Sequence, residues 1–180
     1  MRSLTVAALA SIGAGFAVEA QALELTSPQF AQGDRLQEEN VFGGFGCTGA
    51  NQSPALAWSG APEGTQSFVL TLYDPDAPTG SGWWHWVVYN IPPDATELPA
   101  GAGSGQGLPE GAQQGRTDFG TTGYGGPCPP EGSTHRYVFK LTALKVPQLE
   151  VPADATAALI GFMTNANALD NATLTLEYGR

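Results

Sequence analysis

The chain has 180 residues, 7 Lys and Arg against 17 Asp and Glu, and a formal net charge of −10. This length suits one domain with a real core, and the acidity excludes a general nucleic-acid-binding face or a polybasic membrane surface. Hydrophobic residues make up 42% of the chain, which excludes a disordered acidic tail, and 24 Gly and 14 Pro favour short elements joined by turns.

The first predicted element is a secretory signal peptide over residues 1–22. Arg2 supplies a positive start, residues 4–18 form a mostly apolar run, and Ala20-Gln21-Ala22 has the small-x-small pattern of a signal-peptidase site. An uncleaved anchor helix is the alternative, but the run is shorter than the about 20 residues that span a bilayer. We therefore expect cleavage after Ala22 and a single domain over residues 23–180 with no stable membrane anchor.

Export would place Cys47 and Cys128, the two cysteines of the sequence, in an oxidising compartment. Two such cysteines are expected to pair. A lone catalytic thiol is the alternative. Since neither cysteine belongs to a CxxC motif, we favour a structural disulfide.

Apolar segments separated by Gly and Pro predict strands along the chain. Between Pro99 and Pro130 the sequence is rich in glycine and poor in aliphatic residues, which predicts a long irregular loop of the kind that often carries a site. The predicted strands are Ser67–Tyr73, Trp84–Ile91, His135–Leu144 and Asn171–Tyr178, with shorter ones near Leu23–Leu25 and Ala55–Trp58.

One helix is predicted near the end of the chain, with Asp154 as its N-cap. Ala158, Leu159, Phe162 and Met163 fall on one apolar stripe, which we expect to pack across the end of a sheet. The elements together predict a mainly β protein, an antiparallel β-sandwich with a few peripheral helices.

Two Gly- and Pro-rich loops that run into strands carry the polar chemistry. Asp74–Pro78 follows one predicted strand and leads to Trp83–Trp86, while Gly123–Pro130 leads to His135-Arg136-Tyr137. Each motif alone is more often structural, but the two histidines stand at matching loop-to-strand junctions. If both strands lie in one sheet, a single pocket would hold Asp74, Asp76, His85, His135 and Tyr137, walled by Trp83 and Pro129, with Arg136 facing away as a surface or ion-pair residue.

The sequence resembles the phosphatidylethanolamine-binding protein family, also called Raf kinase inhibitor-like proteins, in its bacterial exported branch. The resemblance covers essentially all of the chain after residue 22. It is carried by Phe45–Trp58, Tyr73–Trp86, Gly115–Gly120, Gly126–Pro130 and His135–Tyr137.

This resemblance implies a small cavity in a β-sandwich that accepts anions such as phosphate or a phosphorylated head group. The exported bacterial members look similar in their two cysteines, which supports a Cys47–Cys128 bond and a periplasmic or secreted location. Carried over by motif, the ligand-binding residues are Asp74, Asp76, Trp83, His85, Cys128 (through its backbone), Pro129, His135 and Tyr137.

The chemistry of such a cavity needs donors for the anion. His85 and His135 would donate, while Asp74 or Asp76 accepts from a ring N–H or from a ligand ammonium. An adjacent carboxylate favours the imidazolium form of histidine and raises its pKa, so binding is expected to strengthen as the pH falls.

We therefore expect a non-enzymatic binding protein without a cofactor, whose partner is a small phosphorylated ligand or a phospholipid head group. The resemblance adds a protein partner, a kinase or a hydrolase, and the sequence leaves a homodimer open. One alternative is a hydrolase with an Asp74/His85 or Asp76/His135 acid–base pair, although no activated nucleophile such as a GxSxG serine is evident. The other is a metal site made of the two Asp and two His.

Overall fold

The computed structural model describes residues 22–180, which form two antiparallel sheets and one α-helix, α1 (Ala157–Asn167). Residues 1–21, with all but the last residue of the expected signal peptide, lie outside the described part. Two short 3-10 turns occur at Glu38–Asn40 and Ala102–Ser104. The strands are β1 (Glu24–Thr26), β2 (Leu56–Ser59), β3 (Ser67–Asp74), β4 (Trp83–Ile91), β5 (Glu97–Leu98), β6 (Gln113–Gln114), β7 (Thr134–Leu144) and β8 (Ala168–Gly179).

The two sheets pack face to face around the main core. One sheet has the strand order β1-β2-β5 and the other the order β6-β4-β3-β7-β8. Trp58 of the small sheet meets Phe68 of the large one edge to face, with ring centroids 5.8 Å apart. The predicted antiparallel β-sandwich is confirmed.

Helix α1 covers part of the outer face of the five-stranded sheet. Val69, Val87 and Leu144 form a second buried cluster with Ala157 and Ile160 of the helix. Strand β3 is therefore covered on both faces over most of its length, which explains why its sequence is nearly continuously apolar.

The predicted helix is present, but the predicted N-cap and the predicted buried face are both wrong. Thr156, not Asp154, is the N-cap, and its hydroxyl accepts the backbone N–H of Leu159. The helix buries Ala157, Ile160 and Thr164, because these residues face the sheet. Of the predicted apolar stripe, Met163 packs against the second buried cluster, whereas Ala158, Leu159 and Phe162 are exposed, Phe162 to 70%.

The six predicted strands are confirmed within a few residues of their predicted ends, while the two-residue strands β5 and β6 were not predicted. The predicted loop from Pro99 to Pro130 is irregular apart from β6 and one 3-10 turn. The predicted pairing of Cys47 with Cys128 is confirmed. Within residues 22–180, no helix has the length and apolar character needed to cross a membrane.

Candidate functional site

The antiparallel sheet brings the two predicted motifs to one edge. Strand β3 lies between β4 and β7, so its end is next to the beginnings of both neighbours. Asp74 pairs with Trp83 in register, and Tyr73 pairs with Val138. The loops after β3, before β4 and before β7 therefore surround one opening.

A β-bulge turns His85 toward this opening. Leu72 pairs with Trp86 but Tyr73 pairs with Trp84, which leaves His85 without a partner on β3. The extra residue breaks the alternation of β4, so Trp84 faces the helix side while Trp86 lies in the main core. The bulge therefore sets the direction of the His85 side chain.

The opening is a cavity of about 150 Å³. Seven of the eight residues carried over by motif line it; Asp76 does not. The seven are Asp74, Trp83, His85, Cys128, Pro129, His135 and Tyr137.

Asp74 is the centre of the polar floor. Its Oδ1 accepts the backbone N–H groups of Asp76 and Ala77 at 2.8 and 3.0 Å, and its Oδ2 lies 2.7 Å from Nδ1 of His135. Asp74 and His135 are 3% and 6% exposed. Because Nδ1–H of His135 donates a hydrogen bond to the carboxylate, the Nε2 atom is the ring nitrogen left for a ligand.

His85 is fixed by a different partner. Its Nδ1 lies 2.6 Å from the carbonyl oxygen of Gly125, which can only accept, so Nδ1 carries a proton. Its Nε2 lies 4.0 Å from Oδ2 of Asp74. Burial lowers the pKa of His85 below 6.5, outweighing the opposing effects of the Gly125 carbonyl and of Asp74. Asp74 acts on His85 in the expected direction, but burial outweighs it, so the expected net rise of the pKa is wrong for His85.

Two buried donors in the cavity wall lack partners. The hydroxyl of Tyr137 and the indole N–H of Trp83 make no hydrogen bond within residues 22–180. Burial raises the pKa of Tyr137 far above its usual range, so the hydroxyl stays protonated. Unpaired buried polar groups are uncommon in folded proteins.

Asp76 is turned away from the cavity by Arg136. Its two oxygens accept from Nε and Nη2 of Arg136 at 2.9 and 2.7 Å, and Oδ2 also accepts the backbone N–H of Arg136. These contacts lower the pKa of Asp76 to about 2. The expectation that Arg136 forms an ion pair is confirmed, whereas the interpretation of Asp76 as a pocket residue and as the partner of His135 is wrong.

An aromatic cluster at the rim was missed as part of the site, although its residues lie in the motifs that carry the resemblance. Phe119 contacts Phe45, Trp83 and His85, with ring centroids 5.4–5.9 Å apart. Phe45 is 70% exposed.

The Cys47–Cys128 disulfide joins the Phe45 loop to the cavity wall. Arg180 also bridges the two loops, donating to the carbonyls of Pro129 and Gly46 at 2.6 and 3.3 Å.

A metal site of two Asp and two His is not assembled. The Asp76 carboxylate is held by Arg136, and within residues 22–180 no group of three or more His, Cys, Asp or Glu side chains is arranged to hold a metal ion. The cavity instead combines two histidine Nε2 atoms with the two unpaired neutral donors of its wall, beside an apolar rim.

Comparison with known proteins identifies the family. The sequence model described as phosphatidylethanolamine-binding protein matches residues 26–179, and the chain belongs to this family. It is 52% identical to the UPF0098 protein YbcL of Escherichia coli over 166 residues, 91% of each chain, and 51% identical to YbhB of the same organism, covering 87% of this chain and 99% of YbhB. The crystal structure of YbcL has the same fold, with a TM-score of 0.85 over 88% of this chain and 98% of that one.

Proposed function

We propose that this chain is a non-enzymatic binding protein whose cavity takes phosphate or a phosphorylated head group such as phosphoethanolamine. The observation that carries the proposal is the pair of buried, unpaired donors of Tyr137 and Trp83 in a wall shared with two histidines. A ligand with several acceptor oxygens would satisfy both donors. Membership of the family supports a binding role.

The carboxylate in the floor is compatible with an anion because its oxygens are already occupied. Asp74 accepts two backbone N–H groups and the ring of His135. Protonation of a histidine at Nε2 creates a cationic donor for the ligand, and Asp74 balances the added charge. Because neither Asp76 nor Asp74 is free for a ligand ammonium, that group would lie against the aromatic rim around Phe45 and Phe119.

A binding role fits better than hydrolysis because none of the described residues that line the cavity carries an activated hydroxyl. Thr79 and Tyr137 supply the hydroxyls among the lining residues. Thr79 donates to the carbonyl of Gly82, and burial raises the pKa of Tyr137. The Asp74–His135 pair could orient a base, but the described residues that line the cavity supply no side-chain nucleophile beside it.

We also propose that the domain acts outside the cytoplasm. The signal-peptide pattern of residues 1–22 and the Cys47–Cys128 disulfide support this location.

Inhibition of a kinase or hydrolase is a further proposal. The family resemblance supports it, and so does the exposed Phe45 at the rim, since an exposed aromatic side chain can anchor a protein partner. Homodimerisation stays a proposal that light scattering of the exported protein would test.

Calorimetric titration of the mature domain with phosphate and with phosphoethanolamine, at about pH 5.5 and about pH 8, tests the binding proposal. We expect binding that is stronger at the lower pH, where Nε2 of His85 can take up a proton beside the bound anion. Absence of binding at both pH values would overturn the ligand assignment. Equal affinities would overturn the role of the histidines while leaving the ligand in place.

A further inference from the structure

A second cavity lies on the opposite face of the five-stranded sheet, between the sheet and α1. We call it the α1 groove. Its volume is about 400 Å³, within the range of small-molecule sites, and it shares no lining residue with the Asp74 cavity. Strands β3, β4 and β7 contribute Thr71, Trp84 and Lys140 to the groove, and α1 contributes Gly161, Phe162 and Thr164.

Thr164 brings an unpaired polar group to the groove. The residue is 5% exposed, and its Oγ1 is buried without a hydrogen-bond partner in residues 22–180. A threonine in a helix usually bonds to a carbonyl of the preceding turn. The hydroxyl of Thr164 is therefore an unsatisfied donor buried in the wall of the groove, next to the space that an acceptor would enter.

Lys140 brings a cation. It lies in the middle of β7, in register with Thr71 on one side and Thr173 on the other, and it is partly buried. In the described part of the chain no carboxylate lies within 4.0 Å of its ammonium, whereas Arg136 on the same strand is paired with Asp76. A lysine whose ammonium has no carboxylate partner in an acidic protein favours an anionic ligand.

Gly161 keeps the groove open. A Cβ added at this position would meet no atom within 4 Å, so packing does not require glycine here. Glycine inside a helix is nevertheless less stable than alanine. The next residue, Phe162, is 70% exposed at the side of the groove, and Trp84 lies on the sheet side. The groove at Gly161 is therefore bordered by two aromatic side chains, one from the helix and one from the sheet.

We propose that the α1 groove binds a small aromatic monocarboxylate. The carboxylate would pair with Lys140 and accept the hydroxyl of Thr164, and the ring would contact Trp84 and Phe162. One cation balances one negative charge, whereas a phosphate dianion would leave an uncompensated charge. This site does not depend on the function proposed for the Asp74 cavity.

NMR titration of the labelled mature domain with 3-phenylpropionate tests this proposal, with 3-phenylpropanamide as the neutral control. We expect amide shifts around Lys140, Gly161 and Thr164, and an affinity for the amide about tenfold weaker. Lys140→Gln should weaken binding of the carboxylate about tenfold, and Gly161→Leu should abolish it by filling the groove. Lys145→Gln, which changes an exposed lysine outside the groove, should have no effect.

Thr164→Val separates binding from folding, because it keeps the side-chain shape and removes the unpaired hydroxyl. We expect an unchanged or higher melting temperature together with weaker binding of 3-phenylpropionate. The proposal is overturned if the wild-type domain shows no shifts, or if the shifts occur around His135 and Tyr137 instead. It is also overturned if Lys140→Gln and Gly161→Leu bind like the wild type.

Discussion

Asp74 and His135 come from different strands, yet Oδ2 of the first lies 2.7 Å from Nδ1 of the second in the buried floor of the cavity. The same carboxylate also holds two backbone N–H groups of the loop that follows β3. Asp74 therefore couples the shape of the loop to the orientation of the histidine ring. A change at this carboxylate is therefore expected to act both on stability and on the proposed ligand binding.

Asp74→Ala is expected to destabilise the domain by about 1–3 kcal/mol, because it leaves buried donors of the loop and of His135 without an acceptor. Ligand binding should weaken in parallel, since the His135 ring loses its orientation. Urea denaturation and calorimetry measure the two effects. Asp94→Ala, at an exposed position, is the matched control and should change neither; a stable Asp74→Ala domain would contradict the coupling.

Tyr137→Phe is expected to separate stability from binding. Removing a buried hydroxyl that has no partner should leave the free energy of unfolding unchanged or raise it by about 1 kcal/mol. Affinity for phosphate should fall about tenfold if that hydroxyl donates to the ligand. An unfolding curve and a titration of the same sample show both values, and unchanged affinity would remove Tyr137 from the site.

The Asp76–Arg136 pair predicts a component of acid stability. The pKa of Asp76 is about 2 in the folded protein against an ordinary 3.8, chiefly because its carboxylate accepts hydrogen bonds from the Arg136 side chain. The stabilisation is complete above about pH 4 and is lost as the pH falls toward about 2. In Arg136→Gln, urea midpoints measured across this range should fall less steeply than in the wild type. The Lys145→Gln domain should keep the wild-type slope, and the same slope in Arg136→Gln would contradict the prediction.

His85 predicts a second pH effect, located at higher pH. Because burial lowers its pKa in the folded state, the unfolded chain takes up the proton first, and stability declines as the pH falls below about 6.5. NMR titration of the His85 ring should give a midpoint below 6.5 in the free protein. Phosphate in the cavity should move that midpoint upward. A midpoint at or above 6.5 without ligand would show that burial does not dominate.

Removal of the disulfide is expected to lower the stability of the domain. The Cys47→Ser/Cys128→Ser double variant should be less stable by about 2–5 kcal/mol, because its unfolded chain is no longer cross-linked. Denaturant unfolding of the oxidised wild type and of the variant gives the difference. The wild type in a thiol reductant should match the variant, and equal stability of all three samples would show that the bond contributes nothing.

The strands and the meeting of the two loops could be predicted from sequence, because apolar segments between Gly and Pro mark strands and antiparallel pairing places Asp74 beside the starts of β4 and β7. The orientation of the His85 side chain could not be predicted, since it is set by a bulge that depends on the register between β3 and β4. The position of Asp76 depends on Arg136, a residue of another strand. The sequence showed apolar residues in α1, but not that Ala157 and Ile160 would face the sheet while Phe162 is exposed.

The bond between Cys47 and Cys128 turns the intervening chain into a covalent ring that contains β2 to β6 and the loop after Pro99. A protease that cuts once at an exposed position of that loop, such as Gly111, would open the ring without releasing a fragment. The nicked protein would run as one species on a gel without reductant and as two with it. After such a cut, the disulfide would still hold the two parts of the chain that line the Asp74 cavity together. A cleaved molecule would then persist in a protease-rich environment.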